Sequence, residues 1–119
     1  MKKPSEESPP DKIITVVFFK EESGSEPVRK WLKSLTKPIR EIIGNDMKTI
    51  QHGWPLGMPL VRSLGKSLWE IRSSIPNGIA RIIFMMINGE MVLFHGFIKK
   101  TQKTPSQDIQ IALDRANRY

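Results

Sequence analysis

The sequence predicts a small α+β domain in the order β-α-α-β-β-β-α, with helices packed on one side of a mainly antiparallel sheet. Three observations predict it. Short runs rich in β-branched and aromatic residues alternate with amphipathic stretches of helical period. Two Asn-Gly dipeptides, Asn77-Gly78 and Asn88-Gly89, fall between consecutive apolar runs, where tight hairpins place them. The 119 residues are enough for one core and too few for two.

Residues 1–11 are polar, carry Pro4, Pro9 and Pro10, and lack periodicity, so they are expected to form a flexible tail ahead of a single domain over 12–119. Ile13 to Lys20 (IITVVFFK) is continuously apolar over a strand's length, as in a strand covered on both faces. After Ser23-Gly24-Ser25, Pro27 sits where a first helical turn tolerates it, and Val28, Trp31, Leu32 and Leu35 share one helical face. Thr36 and Pro38 open a second helix, whose stripe of Ile39, Ile42, Ile43, Met47 and Ile50 runs to Gly53. The stretch from Gly53 to Lys66 holds Pro55, Gly57, Pro59 and Gly65 and reads as a loop carrying Trp54 and Arg62. Strands follow at Ser67–Ser73, Ile79–Ile87 and Met91–Ile98 as an antiparallel meander. Thr104-Pro105-Ser106-Gln107 then supplies a cap, a first-turn proline and a glutamine three residues on, before a stripe of Ile109, Ala112, Leu113 and Ala116.

Composition narrows the function. Nineteen Lys and Arg against twelve Asp and Glu give a net charge of +7, which favours a polyanionic partner. The excess is concentrated after residue 60, in nine basic and four acidic side chains. No apolar run spans a bilayer and no secretory leader precedes the first strand, so a cytoplasmic protein without membrane contact is expected. The absence of cysteine removes disulfides, thiolate metal sites and a cysteine nucleophile. His52 and His95 lack carboxylates at ligand spacing, so neither a metal nor another cofactor is expected. Gly65-Lys66-Ser67 resembles the end of a phosphate-binding loop, but Leu60 stands where the motif needs glycine.

The informative residues are cations inside apolar strands. Arg81 lies within Ile79-Ala80-Arg81-Ile82-Ile83-Phe84, where a guanidinium is costly unless its face is open or its charge is paired. A two-residue turn at Asn88-Gly89 sets Arg81 opposite Gly96, where a glycine leaves room for a ligand. A turn spanning Ile75 to Gly78 sets Arg72 opposite Arg81, two like charges that an anion between them would reconcile. That register gathers Arg72, Arg81 and Lys100 on one sheet face and sends Trp69 and His95 to the other, as core. Such a trio suits a phosphodiester, because guanidinium binds its oxygens in pairs and fixed cations stabilise a pentacoordinate transition state. The competing reading is an ion-pair network in which Glu70 or Glu90 neutralises one cation. The segment Lys99-Lys100-Thr101-Gln102-Lys103 adds phosphate-contacting side chains just before the last helix.

Leu68-Trp69-Glu70-Ile71-Arg72, Gly78 through Phe84, and above all Leu93-Phe94-His95-Gly96-Phe97-Ile98-Lys99-Lys100-Thr101-Gln102-Lys103-Thr104-Pro105 resemble the RelE/ParE toxin superfamily, in its HigB-like, phage-derived branch. The likeness covers roughly Ile13 to Arg118. It implies the compact RelE-like fold and a toxin of a type II toxin–antitoxin pair: a ribosome-dependent, metal-independent mRNA endoribonuclease that directs the ribose 2′-hydroxyl at its own phosphate. By position it implies that Arg72, Arg81 and Lys100 or Lys99 are catalytic. Arg62, Lys66, Gln102 and Lys103 would contact RNA or the ribosome, and His95 stands as a possible acid or base. The only tyrosine is Tyr119, so the last-helix tyrosine that some members use has no clear counterpart. The implied partners are the ribosome with its mRNA and a helix-turn-helix antitoxin. The same superfamily also implies an alternative, a ParE-like inhibitor of DNA gyrase that cuts no RNA; an inactive basic binding module is the third reading.

Overall fold

A computed structural model describes residues 13–119; the expected N-terminal tail lies outside the described residues. The elements in chain order are β1 (Val16–Phe18), α1 (Pro27–Lys33), α2 (Lys37–Gly53), β2 (Val61–Gly65), β3 (Leu68–Ile75), β4 (Gly78–Ile87), β5 (Glu90–Lys99) and α3 (Ser106–Asn117). They form an α+β fold around one five-stranded sheet in the order β1-β5-β4-β3-β2. Strands β2 to β5 pair antiparallel, while β1 joins β5 in parallel.

The turns follow from their residues. Asn88 and Gly89 both adopt positive φ (52° and 80°), the geometry that matches a two-residue turn to the twist of β4 and β5. Pro76-Asn77 closes the β3–β4 hairpin, with Asn77 at φ 69° and Ile75 paired to Gly78. The β2–β3 turn uses Lys66 and Ser67 at φ 54° and 65°. Those residue types are poor announcers of a left-handed turn, and together with the prolines before Val61 they hide β2 within the expected loop. Arg62 therefore sits on a strand, and Lys66 in the turn after it.

Two further expectations are corrected. The apolar run from Ile13 is a strand only over Val16–Phe18, at the sheet edge, and it is covered on both faces as expected, Val16 and Phe18 packing on one and Val17 on the other. The helices also flank both faces of the sheet instead of one. Val28 of α1 and Ile43 and Ile50 of α2 bury against Val61, Ile71, Ile82, Phe84 and Leu93. Ala112, Ile109 and Leu113 of α3 pack instead with Leu68, Ile83, Val92, Phe94 and Phe97. Alternation along the strands requires this division, because β3 and β4 carry apolar residues on both faces and each needs a cover. Each fully buried aliphatic or aromatic side chain contributes about 1.5–3 kcal/mol.

Strands β4 and β5 start in the expected register, with Ile87 opposite Glu90 and Phe84 opposite Leu93. The register then shifts by one, so that Ile83 faces His95 and Arg81 faces Phe97. Phe94 is the extra residue of a β-bulge, and the extra step turns Phe94 and His95 to the α3 side together. Gly96 consequently faces the other way, beneath Trp31 of α1. A Cβ there would lie 2.4 Å from the indole, so the space at this glycine is filled by tryptophan and not by a ligand.

Candidate functional site

The sheet face under α3 changes character along the strands. Its half beneath the helix is apolar; beyond it, charged residues line up in rows across the strands. Arg62, Glu70, Ile83 and His95 form one row, and Arg72, Arg81 and Phe97 the next. Arg72 and Arg81 stand directly opposite each other, as the turn length predicts. Lys99, opposite Ile79, continues the Arg81 face, whereas Lys100 lies past the end of β5; the bulge exchanges the parts expected of them.

Of the two alternatives, an open face or a paired charge, the open face is not found: Arg81 is fully buried, and Arg72 is only 6% exposed. What lies over them is the segment 101–104 on its way to α3. Arg72 Nη2 donates to Gln102 Oε1 at 2.8 Å, and Arg81 Nη1 to the Lys103 carbonyl at 3.1 Å. Arg62 Nη1 donates to the Gln102 carbonyl at 3.0 Å. Glu70, also fully buried, ties the cluster together: its Oε1 accepts from Arg72 Nη1 at 2.7 Å and its Oε2 from the Thr104 hydroxyl at 2.8 Å. Thr104 therefore secures the segment to the sheet and does not cap α3, which begins at Ser106 without a side-chain cap.

Among the described residues Glu70 is ion-paired with Arg72 alone, and Arg62 and Arg81 stand in the neighbouring positions of the same two rows. Glu70 supports the charge on Arg81 while Arg72 and Arg62 oppose it, and burial itself lowers the Arg81 pKa most. Two nitrogens of Arg81, Nε and Nη2, are buried without a hydrogen-bond partner among the described residues. Its guanidinium lies 5.8 Å from the centre of the Phe97 ring, a weak compensation. An arginine with unused donors is costly in the interior and is suited to an anion. Around this cluster, Lys99, Lys100, Gln102 and Lys103 are exposed, Lys66 is exposed in the β2–β3 turn, and Arg62 is half-buried.

His95 lies on the arginine side of the sheet and not with Trp69, which packs edge-on against Trp54 on the α1–α2 side. Its Nε2 is 2.7 Å from Asp108 Oδ1 and its Nδ1 is 3.4 Å from Arg115 Nη1. Arginine only donates, so Nδ1 accepts and Nε2 carries the proton that it donates to Asp108. Burial lowers the His95 pKa despite the Asp108 carboxylate, which favours a neutral ring. With both nitrogens engaged, the imidazole links β5 to α3; Arg115 strengthens the link by donating to the Phe94 carbonyl at 2.8 Å. The sequence shows Glu70 as a possible counter-ion but gives no sign of the Thr104, Asp108 and Arg115 contacts, because each joins residues brought together by the bulge or by the turn into α3.

Fold and site define a small basic α+β domain whose sheet face concentrates guanidinium groups. The family model described as phage-derived protein Gp49-like (DUF891) matches residues 30–117, and the chain belongs to that family. No curated protein matches it. The matched span contains every residue of the cluster from Arg62 to Thr104.

Proposed function

We propose that this chain is the toxin of a type II toxin–antitoxin pair and acts as an mRNA endoribonuclease on the ribosome. The observation that carries this reading is the set of three guanidiniums, Arg62, Arg72 and Arg81, in two adjacent rows of the sheet with only Arg72 ion-paired among the described residues, to Glu70, and rimmed by exposed Lys99, Lys100 and Lys103. A surplus of fixed cations of this kind favours a phosphodiester, and its charge is most useful where the transition state gains negative charge. In the reaction the 2′-oxygen forms a bond to phosphorus as the bond to the 5′-oxygen breaks. One proton leaves the 2′-oxygen and one joins the 5′-oxygen, so the products are a 2′,3′-cyclic phosphate and a free 5′-hydroxyl. Arg72, Arg81 and Lys99 or Lys100 bind the phosphate oxygens. Arg62, Lys66, Gln102 and Lys103 bind flanking RNA. His95 orients α3, since both of its nitrogens are used within the fold. A cognate antitoxin with a DNA-binding helix-turn-helix is the proposed neutralising partner.

One observation favours a second reading. Arg81 is covered by the chain itself, as suits a non-nucleolytic inhibitor of DNA gyrase, for which these arginines serve folding alone. Inducible expression with mapping of mRNA 5′ ends separates the two. In-frame mRNA cleavage accompanying growth arrest supports the nuclease; DNA breaks with intact mRNA support the gyrase inhibitor.

A further inference from the structure

The segment over the arginine cluster is held in an unusual way. Among the described residues, 101–104 make no backbone-to-backbone hydrogen bond to the sheet. The contacts that fasten them are the Arg62, Arg72 and Arg81 bonds to the Gln102 carbonyl, Gln102 Oε1 and the Lys103 carbonyl, together with the Thr104 bond to Glu70. Inside the segment, the Thr101 hydroxyl donates to the Lys103 carbonyl at 3.3 Å. The three oxygens that meet the guanidiniums are uncharged. A phosphate presents oxygens to the same donors with negative charge, and charge-assisted bonds are roughly twice as strong as neutral ones. Nε and Nη2 of Arg81, buried and unpartnered beneath the segment, are further donors that uncharged oxygens leave unused.

The surroundings give room for the exchange. One hollow beside the segment is lined by Arg62, Ser63, Lys103 and Thr104. Another, at the edge of β3 beyond the start of β2, is lined by Ile42, Asp46, Pro59, Leu60, Arg72 and Ser74, so this approach carries one carboxylate beside Arg72. The cluster is thus approached from both sides while its centre is covered.

Resting on the nuclease reading but separable from it, we infer that residues 101–104 form a displaceable strap over a phosphate-binding site made by Arg62, Arg72 and Arg81. The strap's three oxygens occupy the places of phosphate oxygens, and a phosphodiester takes them over when the strap lifts. Thr104, anchored on Glu70, is the hinge-side latch. Covering the arginines in the free protein lowers the affinity for stray anions and makes a fully engaged site depend on a ligand strong enough to move the strap.

The test uses the full chain, with inorganic phosphate and a short single-stranded oligoribonucleotide bearing 2′-O-methyl groups as probes. Phosphate is expected to speed hydrogen exchange of the amides of 101–104 and to move the Arg81 Nε–H resonance. Gln102→Ala removes one covering acceptor and is expected to bind phosphate about fivefold more tightly, the equivalent of one modest hydrogen bond. Thr104→Val is expected to raise strap exchange without any ligand. Phosphate binding that leaves strap exchange and the Arg81 resonance unchanged overturns the proposal, as does a Gln102→Ala variant that binds phosphate equally or less well. The oligoribonucleotide arm reports on the source of the anion. If phosphate lifts the strap and the RNA does not, the strap stands and the nuclease reading fails; if RNA does so as well, both are supported.

Discussion

The two faces of the sheet are built on opposite terms. Under α1 and α2 the contacts are almost entirely apolar, with Ile71, Ile82, Phe84 and Leu93 fully buried and Trp31 seated on Gly96. Under α3 and the 101–104 segment, an apolar half gives way to buried Glu70, Arg72 and Arg81. Hydrophobic burial is non-directional and tolerates approximate fit, whereas a buried ion cluster is stabilised only while every partner is in place. The first face is therefore stabilised by apolar burial throughout, whereas the second adds to its apolar half an internal demand that is met by contacts suited to anion chemistry.

The largest way to break this contrast is Phe84→Ala, which is expected to cost about 3–5 kcal/mol in chemical denaturation while leaving Arg72 and Glu70 paired. On the other face Glu70→Gln keeps the shape and loses the charge, so Arg72 loses its ion pair and Arg81 keeps only the more weakly acting Asp108 as a supporting carboxylate. A loss of about 2–4 kcal/mol is expected, along with faster exchange of residues 101–104, which the Phe84 variant does not share at matched stability. Gly96→Ala drives a methyl into Trp31 and is expected to cost about 1–3 kcal/mol; the change in tryptophan fluorescence reports where the strain falls.

A finer comparison uses pH. His95 has a lowered pKa in the folded chain, so as pH falls through its unfolded value, about 6.5, the unfolded state takes up the proton first. Stability then declines, and the decline levels off below the folded pKa. Asp108 and Arg115 face the ring, and Glu21 lies 3.7 Å from Arg115. In His95→Gln this part of the slope disappears, as denaturation between pH 5 and 8 will show. The smallest effect on stability is expected for Lys99→Ala and Lys100→Ala, within about 0.5 kcal/mol because both are exposed; their effect is expected in activity.

Much of this was legible in the sequence. Helical stripes gave α1 and α2 because each needs only one apolar face, and Asn88-Gly89 located the β4–β5 turn because that turn demands positive φ twice. The opposition of Arg72 and Arg81 followed from taking the turn to span Ile75 to Gly78, the span the structure has. The bulge at Phe94 was not legible: an inserted residue leaves the hydrophobic pattern nearly intact, since Phe94 and His95 both suit the α3 face. That one residue moved His95 to the arginine side, gave Gly96 to Trp31 and put Lys99 where Lys100 was expected. The burial of Arg81 was equally hidden, because it depends on the path of residues 101–104, where Lys, Thr and Gln read as an exposed turn.

The central claim is that the guanidinium face engages RNA phosphate and the α1–α2 face does not. The most direct measurement is cleavage of mRNA on programmed ribosomes by wild type and by Arg72→Lys, which keeps the charge and loses the paired donors. With Arg72→Lys shown to be folded by its thermal transition, cleavage at least about tenfold slower than wild type is expected, as for loss of a charge-assisted contact. Cleavage at the wild-type rate by the folded variant, or none by wild type itself, contradicts the claim.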